Sequence, residues 1–325
     1  MHRSRVAAAG TVLAVIVGAC SSVDDARPAA TTTTTTVAAP TTVHIDDGVF
    51  KVGVVVPTIG PGVEIGISVE AAVKLAAQEI NSQGGIAGQP VVVDVRDEGD
   101  SATTAVLAVQ ELVQSRADVI IGPTSSIATL AALSTAVDAG VLTCSPTASA
   151  LALDDFPDNG LFIRTVPSDS LQAVALAALA DDAGGARTAL VYLDDPYGRP
   201  LAEHVQRSLR AKGVSVSASA AFSAAEESLQ AAVDQLVAAQ PDVVIVLADA
   251  TTGPTAIRAI DDALIAARPT YIVNDPMRRP DASAQPFDVD LAARVVGVSP
   301  QAFVDDTDFT GRLRGNDPDA TGLYP

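Results

Sequence analysis

Between Asn81 and Gly88 the chain reads Asn-Ser-Gln-Gly-Gly-Ile-Ala-Gly, three glycines within five residues. Glycine takes positive φ without steric cost, so such a cluster ends a helix and reverses the chain within a few residues. An Ala/Val-rich helical run precedes it, and the apolar run Pro90 to Val95 follows. Further upstream lie another strand-like run, Lys51 to Val56, and a Gly/Pro loop, Thr58 to Gly62. Strand, loop, helix, glycine turn and strand make one βαβ unit.

The same alternation continues through the chain. Strands are expected at 51–56, 90–96, 117–122, 141–143, 161–165, 188–193, 214–220, 242–247, 270–273 and 294–298, with helical segments between most of them. Several are continuous apolar runs, such as Asp118-Val119-Ile120-Ile121 and Val243 to Leu247. Strands of that kind are covered on both faces, as in a parallel sheet flanked by helices. The fold class is therefore α/β, doubly wound.

Three motifs inside the first unit carry a resemblance: Pro57-Thr58-Ile59-Gly60-Pro61, Glu79-Ile80-Asn81 and Gly84-Gly85-Ile86-Ala87-Gly88. Their order resembles the opening of the type I periplasmic binding proteins, in the branched-chain amino-acid receptor branch. Phe162-Ile163-Arg164-Thr165 followed by Pro167-Ser168-Asp169 resembles that family's first crossover between lobes. The resemblance implies two doubly wound lobes joined by a hinge, with lobe 1 at 49–166 plus 299–325 and lobe 2 at 167–298. Pro167 holds its neighbour extended, and Ser168 or Asp169 can cap the helix that follows. The family's C-terminal part is missing after Leu323-Tyr324-Pro325. Either the sequence is a fragment or truncated frame, or lobe 1 lacks a covering helix and exposes an apolar face.

The first residues carry His2, Arg3 and Arg5, then an apolar run from Val6 to Val17 and Gly18-Ala19-Cys20. This is the pattern of a secretory signal, too short to span a bilayer. Val17-Gly18-Ala19-Cys20 resembles a bacterial lipobox, which implies a signal peptide at 1–19 and a lipid on Cys20. Residues 20–48, with six consecutive threonines, lack the apolar content to fold and read as a tether. The expected place is the extracytoplasmic face of the cell membrane, lipid-anchored.

The net charge is −19, and loss of a leader holding Arg3 and Arg5 and no acid takes it to −21. Nucleic acid and anionic lipid surfaces repel such a chain. With Cys20 lipidated, Cys144 has no disulfide partner, and His204 is the one histidine in folded sequence, so a His/Cys metal site is not expected.

Ligands in open α/β sheets bind beyond the carboxyl ends of the strands. In lobe 1 those ends run into Gly122-Pro123-Thr124-Ser125-Ser126 and Cys144-Ser145-Pro146-Thr147-Ala148-Ser149, offering hydroxyls and N–H groups at a helix start, where a carboxylate is stabilised. In lobe 2 they run into Asp194-Asp195-Pro196-Tyr197-Gly198, Ala248-Asp249-Ala250-Thr251 and Asn274-Asp275-Pro276. Donors on one wall and carboxylates on the other suit a small zwitterion. Ser and Asp after a strand are equally the usual helix caps, so for any single residue capping is the competing reading. The resemblance implies that Ser126 meets the ligand carboxylate, with Thr147, Ala148 and Ser149 joining through main chain and hydroxyl. It implies that Tyr197 lines the cleft and that Asp275 pairs with the ligand ammonium. Asp249 stands where close relatives have an aromatic residue, and there serves as a second ammonium partner or reads a polar side chain.

The expected function is an extracytoplasmic solute-binding lipoprotein of an ABC importer, no enzyme, taking a small amino acid or amide and presenting its closed form to a membrane permease, with no cofactor needed. A sensor without a transport role fits the same cleft. A Rossmann-type oxidoreductase is the weaker alternative: Gly60-Pro61-Gly62-Val63-Glu64-Ile65-Gly66 imitates a dinucleotide loop, but Pro61 removes a backbone donor. A hydrolase is weaker still, since no Gly-x-Ser-x-Gly elbow is present and Cys144 with His204 is the sole Cys/His pair.

Overall fold

The computed structural model describes residues 47–60, 62–184, 187–278, 287–300 and 307–320. The proposed signal peptide, Cys20 and most of the tether lie outside the described residues.

The first half builds β1 (Phe50–Val56), α1 (Val63–Ser82), β2 (Val91–Asp97), α2 (Ala102–Gln114), β3 (Val119–Ile121), α3 (Ser126–Asp138), β4 (Leu142–Ser145) and β5 (Phe162–Arg164). The second half builds α4 (Asp169–Asp182), β6 (Thr188–Leu193), α5 (Gly198–Ala211), β7 (Val216–Phe222), α6 (Glu226–Ala239), β8 (Val243–Leu247), α7 (Thr252–Ala263), β9 (Thr270–Val273), α8 (Val289–Ala292) and β10 (Val295–Gly297). A last helix, α9 (Thr307–Asn316), follows. Each of the ten strands among the described residues falls on a run the sequence marks.

Two five-stranded sheets result, ordered β2-β1-β3-β4-β5 and β10-β9-β8-β6-β7, and every strand pair in both is parallel. The apolar runs explain this. Val54, Val55 and Val56 of β1 and all of β8 are buried on both faces, which only helices on either side can provide. In the second sheet one face packs on α6 and α7 through Leu236, Ile257 and Ile260, and the other on α4 and α5 through Leu176, Val205 and Leu209.

The glycine turn behaves as its composition requires. Gly85 has φ +78°, and a Cβ there would lie 1.9 Å from the carbonyl oxygen of Gln89. Asn81 does more than end α1: its side-chain amide accepts the Val91 N–H at 2.7 Å and donates to the Val91 carbonyl at 2.8 Å. The helix end is thereby fastened to the first residue of β2.

α9 packs on α1, where Leu313 is fully buried against Ala71 and Leu75 and Arg312 pairs with Glu79 at 2.9 Å. Toward the β5 edge the first sheet is thinly covered: Leu142 and Ile163 are 37% and 51% exposed on the face they share with Cys144.

Candidate functional site

Both sheets reverse strand order near their centre, with β1 between β2 and β3, and β6 between β7 and β8. Such a switch point opens a crevice at the carboxyl ends of the strands. The candidate residues gather at those ends.

In the first sheet the loop after β3 leads into α3. The cap of α3 is Ser125, whose side chain accepts the Ala128 N–H at 3.0 Å; Ser126, proposed for the helix start, is its first residue. Glu98, just beyond β2 and 3% exposed, aims both carboxylate oxygens at this turn. Its Oε2 accepts the N–H of Thr124 at 2.7 Å and the Thr124 hydroxyl at 2.6 Å, and its Oε1 accepts the Ser125 N–H at 2.8 Å. The first donors before the helix are therefore already used by the protein's own carboxylate, which the sequence reading missed.

Ser126 has a different task. Its Oγ accepts the N–H groups of Ser149 and Ala150, each at 3.1 Å. A hydroxyl has two lone pairs and one hydrogen, so with both lone pairs engaged Ser126 has only a proton left to offer. The N–H groups of Ser126 and Ile127 have no acceptor among the described residues. The segment Thr147 to Ser149 offers less than its sequence implies. Ala148 is fully buried and its N–H goes to Ser145 Oγ at 3.1 Å, Ser149's goes to Ser126, and the Thr147 hydroxyl donates to the Thr124 carbonyl at 2.6 Å. Among the described residues the Thr147 N–H is the main-chain donor of that segment left without an acceptor.

In the second sheet most of the acids turn out to be structural. Asp194 pairs with Arg199. Asp195 accepts the N–H groups of Tyr197 and Gly198 at the start of α5, at 2.9 and 2.6 Å. Asp249 is exposed, and its Oδ1 accepts from Thr251 N–H, Thr252 N–H and the Thr252 hydroxyl at 2.8, 2.7 and 3.0 Å, serving the first turn of α7. Asp275 differs: it is half-buried, and its carboxylate makes no hydrogen bond or ion pair among the described residues. Burial pushes its carboxyl up from the usual range, and Arg278 opposes that only in part.

A second carboxylate, absent from the sequence-based set, stands beside it. Asp169 opens α4 and is 1% exposed. Ser168 caps the helix through the Ser170 N–H at 3.2 Å, so Asp169 is not needed for that. Its Oδ1 accepts from Gln172 Nε2 at 2.5 Å, and its Oδ2 is buried with no hydrogen-bond partner among the described residues. Burial raises this carboxyl to about 6, with a further push from the Asp275 charge and opposing pulls from Ser149, Gln172 and Arg164. Arg164 does not neutralise it, because its guanidinium pairs with Asp154 and donates to the Ala150 carbonyl.

Tyr197 packs against both the cluster that holds Ala148, Ala150 and Leu153 and the α4–α5 core. Its hydroxyl is 3.5 Å from Asn274 Nδ2. Burial first, and then the Asp169 charge, hold its phenol far above its ordinary titration range, so it stays neutral.

These residues form one hydrogen-bonded chain. Ser149 N–H reaches Ser126 Oγ at 3.1 Å, Asp169 N–H reaches the Ser149 carbonyl at 3.0 Å, Gln172 joins Asp169, and Asp275 N–H reaches Gln172 Oε1 at 2.7 Å. Asp249 stands outside it. A shallow groove between α1 and α9, lined by Gln78, Glu79 and Arg312, is separate from the strand ends.

The family model of the periplasmic binding proteins matches residues 49–306. The chain belongs to that family. Among its relatives is the Leu/Ile/Val-binding protein BraC3 of Rhizobium johnstonii, 28% identical over 196 residues, covering 59% of this chain and 53% of the relative. The chemotactic signal transduction system substrate-binding protein BasB of Halobacterium salinarum is 30% identical over 202 residues, 59% of this chain and 48% of its own. This member spans about half the length of the curated relatives it matches. Solved structures share the fold. The branched-chain amino-acid transporter substrate-binding protein LivJ of Streptococcus pneumoniae, in complex with isoleucine, has a TM-score of 0.65 at 20% identity, covering 85% of this chain and 81% of its own. A solute-binding protein of R. palustris in complex with 4-hydroxybenzoate has 0.69 at 18%, covering 85% and 77%.

Proposed function

We propose that this family member binds a small amino acid, or an amide of similar size, between its two lobes, as the solute-binding component of an ABC importer. The ligand carboxylate meets the Ser126 hydroxyl and the N–H groups of Ser126, Ile127 and Thr147. The ligand ammonium meets Asp169 and Asp275, with Tyr197 against its body. The observation that carries this reading is the buried, partnerless Oδ2 of Asp169 beside the unpaired carboxylate of Asp275. An uncompensated buried carboxylate costs several kcal/mol, and a cationic ligand nitrogen removes that cost. Closure of the lobes would bring the two walls onto one molecule, and the closed form is what a permease reads.

The test is a thermal-shift screen of the twenty amino acids and their amides, followed by calorimetry, with benzoate and 4-hydroxybenzoate as carboxylates that lack an ammonium. Amino acids that bind while the aromatic acids do not would support the reading. Binding of the aromatic acids alone would end it.

A sensing role without transport is the second reading, favoured by the likeness to a chemotactic substrate-binding protein. A permease and ATPase encoded beside this gene would support uptake; a signalling partner in their place would support sensing. A dinucleotide role has little behind it, because Pro61 takes a backbone donor out of the glycine loop. Lipid attachment at Cys20, and with it a place on the extracytoplasmic membrane face, rests on the sequence motif. Mass spectrometry of the mature N-terminus tests it, and an unmodified Cys20 would remove the anchor.

A further inference from the structure

We propose that Gln172 is the positioning residue that holds the two carboxylates of the cleft at the spacing one cationic nitrogen needs. The inference rests on the amino-acid reading above and deepens it. The geometry permits one orientation of the amide. The Asp275 N–H needs an acceptor, so Oε1 faces it at 2.7 Å; the ionised Asp169 carboxylate can only accept, so Nε2 faces its Oδ1 at 2.5 Å. One side chain in the first turn of α4 therefore joins that helix to the end of β9. It also bears on the hydroxyl of Tyr197, ahead of α5.

Three consequences follow. Oδ1 of Asp169 is occupied, which leaves Oδ2 as the free oxygen. The backbone of Asp275 is fixed, which sets where its side chain leaves the main chain. A donor stands against Asp169, which favours the ionised form that a cation requires. A glutamate at this position would keep the acceptor for Asp275 but lose the donor, and would place a third carboxylate beside two. The charged and titratable groups facing this cluster are Asp169 on α4, Asp275 and Arg278 beyond β9, Arg164 on β5 and Tyr197 ahead of α5.

The experiment is calorimetry with L-leucine on the full chain and on Gln172→Glu, from pH 5 to pH 8.5. In the unaltered protein affinity rises with pH, as Asp169 loses its proton. In Gln172→Glu it should be at least a hundredfold weaker at pH 8 and recover as the pH falls, because a proton on the introduced carboxyl restores the donor. That reversed slope supports the proposal. Affinity within threefold of the unaltered protein at pH 8, or a loss equal at every pH, overturns it. A second measurement needs neither ligand nor variant: the Gln172 side-chain amide NMR shifts should follow the Asp169 titration in the ligand-free protein, and pH-independent shifts overturn the assignment. If L-leucine fails to bind but the amide titrates, the amino-acid reading loses support while the bridge stands.

Discussion

The N–H of Asp169 donates to the carbonyl of Ser149 at 3.0 Å, joining the loop after β4 to the first turn of α4 across the crossover between the sheets. Ser149 in turn hangs from Ser126. The group with a proton to offer and the group with an unused lone pair are thus two links apart. The proposed ligand, bridging them, would touch elements of both sheets where the chain passes from one to the other. The crossover is braced here as well, since Asp154 takes the Arg164 guanidinium and accepts the Ser168 hydroxyl at 2.8 Å.

The first prediction concerns pH. The Asp169 carboxyl stands at about 6 in the fold against an ordinary value of 3.8. A folded pKa above the unfolded one means the native state holds more protons between those values. That contribution to stability is full below pH 4 and is lost as pH rises through 6. The loss is about 3 kcal/mol. Denaturant unfolding of the ligand-free protein from pH 4 to 8 should show it as a downward step spread between pH 4 and pH 6 and level above that, superimposed on the other titrations. Asp169→Asn should abolish that step. A profile identical in both proteins would mean that Asp169 carries no such shift.

Two aspartates at neighbouring strand ends should behave oppositely. Asp275→Ala leaves a desolvated ligand ammonium short of a partner, which costs about 3–5 kcal/mol. Against a micromolar affinity of about −8 kcal/mol, that removes most of the binding. Asp249→Ala should change affinity by less than threefold, because its Oδ1 serves the first turn of α7. Its effect should appear in stability, as the loss of about 1 kcal/mol typical of a helix cap. Calorimetry and unfolding on both variants separate the roles. Equal loss of binding in the two would show that Asp249 also reaches the ligand.

The two sheets were legible because a strand buried on both faces has few polar positions, and a run as short and as β-branched as Val243 to Leu247 reads as such a strand. The candidate site was legible only as a set of strand-end residues. Ser126, Tyr197 and Asp275 come together, but a sequence does not show which acids at strand ends are consumed by backbone N–H groups. Asp195 and Asp249 are so consumed; Asp169 is not. A signal for Asp169 was present in the periodicity. Asp169, Ala173, Leu176, Ala177 and Ala180 form the buried stripe of α4, so a carboxylate sits where the helix needs an apolar residue. Glu98 left no comparable sign, since its partners Thr124 and Ser125 lie a full βα unit away.

Ser126→Ala tests the double acceptor. It leaves the N–H groups of Ser149 and Ala150 without their partner and removes the proton proposed for the ligand carboxylate. Each orphaned N–H costs about 1–3 kcal/mol where water cannot reach it. Both stability and affinity should therefore fall. Ser126→Gly, which admits water into the vacated space, should recover part of the stability and none of the affinity. Recovery of affinity in the glycine variant would show that the hydroxyl does not touch the ligand.

Glu98→Gln isolates the carboxylate beneath the start of α3. The side chain accepts from three donors with two oxygens, Thr124 N–H and hydroxyl on one and Ser125 N–H on the other. A glutamine keeps one oxygen and sets an NH2 against the remaining donor. The expected cost is about 2 kcal/mol, the usual penalty for a buried donor left unmade. Because Ser125 caps α3 and the Thr124 carbonyl holds Thr147, the disturbance falls on the wall proposed to grip the carboxylate. Affinity for an amino acid should drop about tenfold or more, while an aliphatic amine lacking a carboxylate should lose nothing. Unfolding midpoints with paired titrations of the two probes decide this. Equal losses for amine and amino acid would place the carboxylate elsewhere in the cleft.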